Sequence, residues 1–168
     1  MNGGAVGNYC ATVFILAYNC NLLYNVNMNN CSYISHSVAD TVAFAEQLAK
    51  SLTGGEVLLL QGDLGAGKTH FVKGLAKGLG VDDVVTSPTF ALHNSYEGRL
   101  TLNHFDFYRI EDSEEVAMLG LDEYFYDKGA VAAIEWSENV AALLPKRCIT
   151  VTIEKIDDET RKISVGER

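Results

Sequence analysis

The spacing of apolar residues predicts a first helix from Val38 to Leu52. Apolar side chains recur there every three or four positions, and the pattern stops at Gly54-Gly55. Ser37 and Asp40 form a capping box in front of it. A hydroxyl at the N-cap and a carboxylate three residues later satisfy backbone N–H groups that the first turn leaves unpaired. We therefore expect a helix that is capped at its start and ended by glycine.

A strand and a second helix are predicted directly after it. The run Val57–Leu60 is continuously apolar, which is typical of a strand buried on both faces of a sheet. Helical spacing resumes from His70 to Leu79 and ends at Gly80. A strand, a glycine-rich loop and a helix are thus expected between residues 57 and 80.

The second half of the chain is predicted to be richer in strands. One helix is expected from Ser113 to Leu119, with Asp112 or Ser113 as its cap. Polar turns at residues 97–99 and 157–159 each predict a hairpin. The strands that the pattern predicts are Thr89–Tyr96, Leu100–Tyr108, Ala130–Trp136, Cys148–Ile156 and Thr160–Val165.

Length and charge limit what this chain can be. Its 168 residues suffice for one well-buried domain and are too few for two ordinary ones. No apolar stretch approaches the roughly 20 residues needed to cross a bilayer, so no membrane association is expected. The net charge of −9 disfavours a protein that grips a phosphate backbone alone, since such proteins carry a basic face. Any nucleic acid is therefore expected to be held mainly by a partner.

The first 39 residues contain no Lys, Arg, Asp or Glu and are rich in Asn. Neither a secretory signal nor an organellar presequence fits, because both need positive charge. We expect residues 1–34 to be a leader, disordered or non-native, and residues 35–168 to be the domain. Residues 1–27 are expected to be an extension upstream of Met28.

The cysteines do not show the spacing of a zinc knuckle or a redox pair. Three of them fall in the predicted leader, so we expect free thiols in a reducing, cytoplasmic compartment. The four residues are Cys10, Cys20, Cys31 and Cys148.

Residues 62–69 match the phosphate-binding pattern G-x-x-x-x-G-K-[ST]. Glycines let successive N–H groups turn inward around phosphates, and the helix after the loop directs its positive dipole end at them. Lys68 is expected to reach the β- and γ-phosphates, and the Thr69 hydroxyl to bind Mg²⁺. ATP or ADP with Mg²⁺ is therefore the predicted ligand. The predicted contact residues are Asp63, Leu64, Gly65, Ala66, Gly67, Lys68, Thr69 and His70.

Two carboxylates close predicted strands and are candidates for the metal region. Asp106 ends one apolar strand, where period-two alternation places it on the same face as His104. Glu135 follows Val131–Ile134, a second buried strand. A P-loop site needs an acidic residue at such a position to hold the metal or its water. We expect both carboxylates to touch the metal shell.

Three further residues each have two possible roles. Thr89, in the segment Thr86–Phe90, either senses the γ-phosphate as part of a switch loop or belongs to a proline-containing turn. Trp136, the only tryptophan, either stacks on a base or packs in the core or at its rim. His104 is either catalytic or a packed strand histidine. The spacing alone leaves these alternatives open.

Four motifs in this order resemble the TsaE (YjeE) family, the ATPases of tRNA threonylcarbamoyladenosine biosynthesis. They are Gly62–Thr69, Thr86–Phe90, His104–Arg109 and Ile134–Trp136, and the resemblance spans about residues 35–150. One departure is Ser137, since the family often reads Glu-Trp-Pro-Glu where this chain reads Glu-Trp-Ser-Glu. Serine caps a helix where proline starts one, so we expect function to be retained.

The resemblance implies a single P-loop NTPase-type α/β domain with a central mixed, partly parallel sheet flanked by helices, and with β-hairpins. It implies a weak, Mg²⁺-dependent ATPase that supports threonylcarbamoyl transfer to tRNA through a TsaD–TsaB complex, with tRNA contacted only through the partners. Carried over by position, Lys68 and Thr69 serve phosphate and Mg²⁺, and Asp106 and Glu135 the metal region. Thr89 serves as the switch, and Trp136 lies near the nucleotide. A monomer or weak dimer is expected.

Three other functions compete with this prediction. A small-molecule kinase would carry an arginine-bearing lid, but only Arg109 lies between Asp106 and Arg147. A GTP-dependent switch would need an Asn-Lys-x-Asp guanine reader, which the sequence lacks. A nucleotide-binding scaffold without hydrolysis is the third alternative, and comparing binding with hydrolysis would separate it.

Overall fold

The computed structural model describes residues 31 to 168, which form seven strands, three α-helices and two 3-10 helices. The strands are β1 (Cys31–Ser35), β2 (Val57–Gln61), β3 (His93–Tyr96), β4 (Thr101–Asp106), β5 (Ala130–Glu135), β6 (Ile149–Lys155) and β7 (Arg161–Glu167). The helices are α1 (Val38–Lys50), α2 (Lys68–Gly78) and α3 (Ser113–Met118), and the 3-10 helices are Leu121–Tyr126 and Ser137–Val140.

All seven strands join one sheet in the order β1-β7-β6-β2-β5-β4-β3. The four central strands pair in parallel, while β1, β7 and β3 add to the edges in antiparallel fashion. The two innermost strands, β2 and β5, are buried on both faces over almost their whole length, as is typical of parallel strands covered by helices or long crossovers. The predicted α/β fold with a mixed, partly parallel sheet is confirmed.

Each face of the sheet buries its own core. Alternate residues of the central strands, such as Leu58 and Leu60 of β2, pack under α1 and α2. Their neighbours Val57 and Leu59 pack on the opposite face, against α3 and the two 3-10 helices. The sequence pattern Val57–Leu60 is continuously apolar because both faces of β2 are covered.

The capping predictions are confirmed for two helices. The Ser37 side chain accepts a hydrogen bond from the Asp40 amide, and the Asp40 carboxylate accepts one from the His36 amide. For α3 the cap is Asp112, which accepts from the Glu114 amide at 2.9 Å. Arg99, in the turn between β3 and β4, donates to the carbonyls of Ala49 and Leu52 and so closes the C-terminal end of α1.

Strand β1 crosses the boundary predicted at residue 34, so residues 31–34, expected to belong to the leader, are part of the sheet. It pairs antiparallel with β7, from Cys31 opposite Val165 to Ser35 opposite Arg161. Tyr33 stacks on Phe44 of α1 with ring centroids 4.9 Å apart. Nothing in the uncharged, Asn-rich sequence marked this strand, because its partner is the last strand of the chain. The predicted extension of residues 1–27 lies outside the described residues and stays a prediction.

The strand predicted from Thr89 begins only at His93. Residues 89–92 form a turn instead, in which the Leu92 amide donates to the Pro88 carbonyl at 2.6 Å and Leu92 has a φ of 66°. This left-handed conformation is incompatible with a strand. The β-prone residues of the turn are held by side-chain contacts that the sequence does not reveal.

Cys148 is a thiol that donates to the Pro145 carbonyl at 3.2 Å, and burial raises its pKa. Cys31 is buried at the start of β1, whereas Cys10 and Cys20 lie outside the described residues. None of the helices between residues 31 and 168 is long and apolar enough to span a bilayer.

Helices α1 and α2 pack closely because two residues of α2 have no side chain. A Cβ on Gly74 would lie 2.4 Å from the Val42 carbonyl oxygen and 2.6 Å from the Ala45 Cβ. A Cβ on Gly78 would lie 2.3 Å from the Glu46 carbonyl oxygen. The two glycines therefore set the distance at which the helix that follows the phosphate loop rests on α1.

Gly74→Ala should lower the free energy of unfolding. Helix propensity alone predicts a gain of about 1 kcal/mol, but overpacking against a backbone carbonyl costs about 1–3 kcal/mol, and we expect the loss to dominate. Urea denaturation followed by circular dichroism measures the difference. Gly129→Ala is the matched control, since its Cβ would meet only the Asp127 carboxylate at 3.4 Å. A stabilised Gly74→Ala variant would contradict this view of the helix contact.

Candidate nucleotide-binding site

The phosphate loop connects the end of β2 to the start of α2. Gly62 has a φ of 144°, and a Cβ there would lie 2.4 Å from the Ile153 carbonyl oxygen of β6. Gly67 is the N-cap of α2, with a φ of 112°. Both positions require glycine because side chains are strained in this region of backbone space. The first amides of α2 are thereby directed into the loop, where an anion would be stabilised.

Arg161, the first residue of β7, braces the loop. Its Nε donates to the Ala66 carbonyl at 2.9 Å, while Nη1 donates to the carbonyls of Asp157 and Asp158 at 2.8 and 3.3 Å and of Thr160 at 3.0 Å. One guanidinium thus ties the loop to the β6–β7 hairpin. The sequence analysis missed this residue, because Arg161 follows the loop by almost a hundred positions and belongs to no spacing motif.

Lys68 lies in the loop with only 5% of its surface exposed. Its Nζ donates to the carbonyls of Gly62 at 2.6 Å and Asp63 at 3.0 Å, and lies 4.6 Å from the centroid of the Trp136 ring. An ammonium group has three N–H donors. Two are used within the loop, and one remains for a ligand.

Thr69, Glu135 and His104 form a chain of contacts beside the lysine. The Thr69 hydroxyl donates to Glu135 Oε1 at 3.0 Å, and His104 Nε2 lies 3.0 Å from the same oxygen. Glu135 is 4% exposed and His104 is fully buried. Glu135, the last residue of β5, is opposite Leu60, the residue before the end of β2. Parallel pairing therefore delivers the carboxylate to the edge where the phosphate loop begins.

Asp106 is held by a different set of donors. Its Oδ2 accepts from the hydroxyls of Ser87 at 2.9 Å and Thr89 at 2.5 Å, and its Oδ1 accepts from the Tyr108 amide at 3.1 Å. The hydroxyl oxygens of Ser87 and Thr89 also lie 2.7 Å apart. Asp106 and Glu135 are opposite each other in the β4–β5 register, yet one holds the Thr86–Phe90 segment and the other holds α2.

The other predicted residues lie on two sides of the loop. Leu64 is 76% exposed at its tip, and His70 lines a cavity of about 280 Å³ between the loop, the start of α1 and the β6–β7 hairpin. Ser37, Thr41, Asp158 and Arg161 also line this cavity. Trp136, with a φ of 59°, lies on the opposite side, where its ring is 5.0 Å from that of Tyr108.

The donors at this site suit Mg²⁺ bound together with phosphates. Among residues 31–168 no group of three or more His, Cys, Asp and Glu side chains could hold a metal by itself. Mg²⁺ commonly takes one or two carboxylates, a hydroxyl and waters, and completes its shell with substrate phosphate oxygens. Thr69, Glu135 and Asp106 supply such a partial set of oxygen donors.

A strand, a glycine-rich loop and a helix follow one another, and the helix begins with Lys68 and Thr69. The neighbouring parallel strand ends in an acidic residue. This arrangement defines a P-loop α/β protein. Within that class the chain belongs to the TsaE family. The model of the family described as threonylcarbamoyl adenosine biosynthesis protein TsaE matches residues 35–163.

Individual relatives agree with the family assignment. The tRNA threonylcarbamoyladenosine biosynthesis protein TsaE of Treponema pallidum is 45% identical over 133 residues, which cover 79% of this chain and 98% of the relative. The protein of the same name from Bacillus subtilis is 44% identical over 133 residues, covering 77% and 82%. The crystal structure of Bacillus subtilis YdiB superposes with a TM-score of 0.70 at 36% identity, covering 82% and 84% of the two chains.

Asp106→Asn should loosen the Thr86–Leu92 segment. Three donors converge on the carboxylate. Asparagine has no charge and keeps only one acceptor oxygen, so either the two hydroxyls or the Tyr108 amide would face an NH₂ group. We expect faster amide hydrogen exchange at residues 86–92 and a loss of about 1–3 kcal/mol of stability. Asp112→Asn is the control, because asparagine caps a helix as well as aspartate does. Unchanged exchange at residues 86–92 in Asp106→Asn would show that the charged carboxylate is not what orders the segment.

Proposed function

We propose that this protein binds ATP and ADP with Mg²⁺ at the phosphate loop and hydrolyses ATP in support of tRNA threonylcarbamoyladenosine formation. The observation that carries the proposal is the contact of the Thr69 hydroxyl with the Glu135 carboxylate, 3.0 Å, beside the buried Lys68. This pairing of a loop hydroxyl with a strand-end acid is the arrangement that P-loop NTPases use around Mg²⁺. Membership of the TsaE family supports the pathway.

The nucleotide would lie across the loop with its phosphates over the first turn of α2. Lys68 would direct its remaining N–H at the β- and γ-phosphates, where a charge-assisted hydrogen bond is strongest. The base and ribose would occupy the adjoining cavity, which Ser37, His70 and Arg161 line. Trp136 and Tyr108 would flank the γ-phosphate end, since Trp136 lies against Lys68 on the side away from this cavity.

Thr69, Glu135 and Asp106 would hold the metal region. A Mg²⁺ ion held there would supply positive charge to the β- and γ-phosphate oxygens during phosphoryl transfer. Glu135 holds Thr69 in position through Oε1 and has Oε2 to accept from an attacking water. Thr89 would act as the switch, because a γ-phosphate close to its hydroxyl competes with the Asp106 carboxylate for the same hydrogen bond.

The partner would be a TsaD–TsaB-like complex, through which tRNA is contacted indirectly. The net charge of −9 fits a protein whose partners hold the nucleic acid. We propose a cytoplasmic protein that is a monomer or weak dimer. Exposed apolar side chains at the mouth of the site, Leu64 at 76% and Phe90 at 85%, suit contact with a partner.

The test is steady-state ATP hydrolysis with and without a purified, cognate TsaD–TsaB complex. Weak activity that rises with the complex is expected, and Lys68→Ala should abolish it by removing the charge that faces the phosphates. Lys73→Ala is the matched control, since Lys73 is an exposed lysine of the same helix. Full turnover in Lys68→Ala would refute the site. Activity indifferent to the complex would favour a small-molecule kinase, and binding without turnover would favour a scaffold.

Glu135→Ala should reduce hydrolysis far more than ADP binding. The loop, Lys68 and the α2 N-terminus, which would contact the ADP phosphates, are unchanged in this variant, whereas Thr69 loses the carboxylate that holds its hydroxyl. We expect ADP affinity within about threefold and turnover lower by about a hundredfold or more. Calorimetric ADP titration and single-turnover assays measure the two. Equal losses in both would argue that Glu135 has a mainly structural role.

A further inference from the structure

His104 is a fully buried side chain with a single hydrogen-bond partner. It lies on β4, 0% exposed, with Nε2 3.0 Å from Glu135 Oε1. Its Nδ1 is buried and has no partner among residues 31–168. Burial of a polar ring is costly unless hydrogen bonds compensate for lost water. The contact with Glu135 is the one hydrogen bond that compensates here.

The chemistry of this contact fixes which nitrogen carries the proton. An ionised carboxylate only accepts hydrogen bonds, so Nε2 must be the donor. The ring therefore carries a proton at Nε2 and directs that N–H at Glu135.

Two elements hold the same carboxylate oxygen from different directions. Thr69 donates from α2 and His104 donates from β4, both to Oε1. No group in the described part of the chain donates to Oε2. In the sheet register His104 is opposite Ala133, two residues before Glu135 on β5. The histidine is thus built into the sheet itself, which makes it a rigid support for the carboxylate.

We propose that His104 is a positioning residue that fixes the Glu135 carboxylate against Thr69 and so strengthens metal binding in the nucleotide-loaded site. The inference rests on the proposed function. With Oε1 held by two donors, rotation of the carboxylate is restrained, so the Thr69 hydroxyl and the carboxylate keep fixed positions relative to each other. Without the imidazole donor the carboxylate gains rotational freedom, and Thr69 loses its fixed partner. Groups that orient metal-site residues in this way commonly change metal affinity by 10–100-fold.

The experiment compares two substitutions of similar size. His104→Phe keeps a ring of similar volume but removes the donor. His104→Gln carries an amide nitrogen at the same number of bonds from Cα as imidazole Nε2, and so keeps the donor. The readout is the affinity for a non-hydrolysable ATP analogue, measured by Trp136 fluorescence in EDTA and in excess Mg²⁺. The ratio of the two dissociation constants is the gain in affinity that Mg²⁺ provides.

We expect this ratio to fall about tenfold in His104→Phe and to stay within about threefold of wild type in His104→Gln. Affinity in EDTA should be unchanged in both, because Lys68 and the loop amides are untouched. Equal ratios in the two variants, or a wild-type ratio near one, would overturn the role proposed for His104 but leave nucleotide binding at the loop intact. A wild-type protein that binds no nucleotide would overturn the proposed function and this inference with it.

His93→Phe is the matched control. His93 is also a strand histidine, but it lies on the opposite face, stacked on Phe105 and 3.0 Å from Asn103 Oδ1. Its substitution should leave the Mg²⁺ ratio at the wild-type value, and a tenfold fall there would contradict the proposal. If His104→Phe does not fold, His104→Asn replaces it, since this amide is one bond shorter and cannot reach Glu135. Its ratio should fall while that of His104→Gln does not.

Discussion

The parallel pairing of β2 with β5 is the constraint on which the site depends. It sets Leu60 opposite Glu135, so that the phosphate loop and the acidic residue leave the sheet at the same edge. The Thr69–Glu135 contact joins the two across a gap of sixty-six residues in sequence. A shift of one residue in this register would turn Glu135 to the other face of the sheet. The position of the side chains of the site therefore depends on this backbone pairing.

The polar residues of the site share one face of the sheet and contact two different parts of the chain. His104, Asp106 and Glu135 replace apolar residues at the end of the face that packs under α1 and α2. Glu135 is tied to the phosphate-loop helix, whereas Asp106 is tied to the hydroxyls of Ser87 and Thr89. The two carboxylates, although adjacent in the sheet, thus connect the rigid loop with a separate segment. A ligand that contacts both can couple the two.

Rigidity around the loop comes from parts of the chain that touch no phosphate. Gly74 and Gly78 let α2 rest directly on the backbone of α1. Arg161 ties the Ala66 carbonyl to the closing hairpin. A preorganised loop is favourable for anion binding, because no reorganisation is needed when the ligand arrives. The β6–β7 hairpin and α1 thereby help to hold the phosphate loop in place without contacting the phosphates.

The sequence by itself determined the local elements and the chemical character of the site. Periodicity and capping residues marked α1 and α2, a continuous apolar run marked β2, and the loop glycines with Lys68 and Thr69 marked a phosphate site. These signals are local, since they depend on residues a few positions apart. The family followed from four such motifs in order. Only the tertiary structure decided which distant groups meet: β1 with β7, Arg161 with Ala66, Thr89 with Asp106, and His104 with Glu135. Pairings of this kind depend on sheet order and register. The same local pattern of strands and helices is compatible with several sheet orders and registers, so it does not determine these pairings.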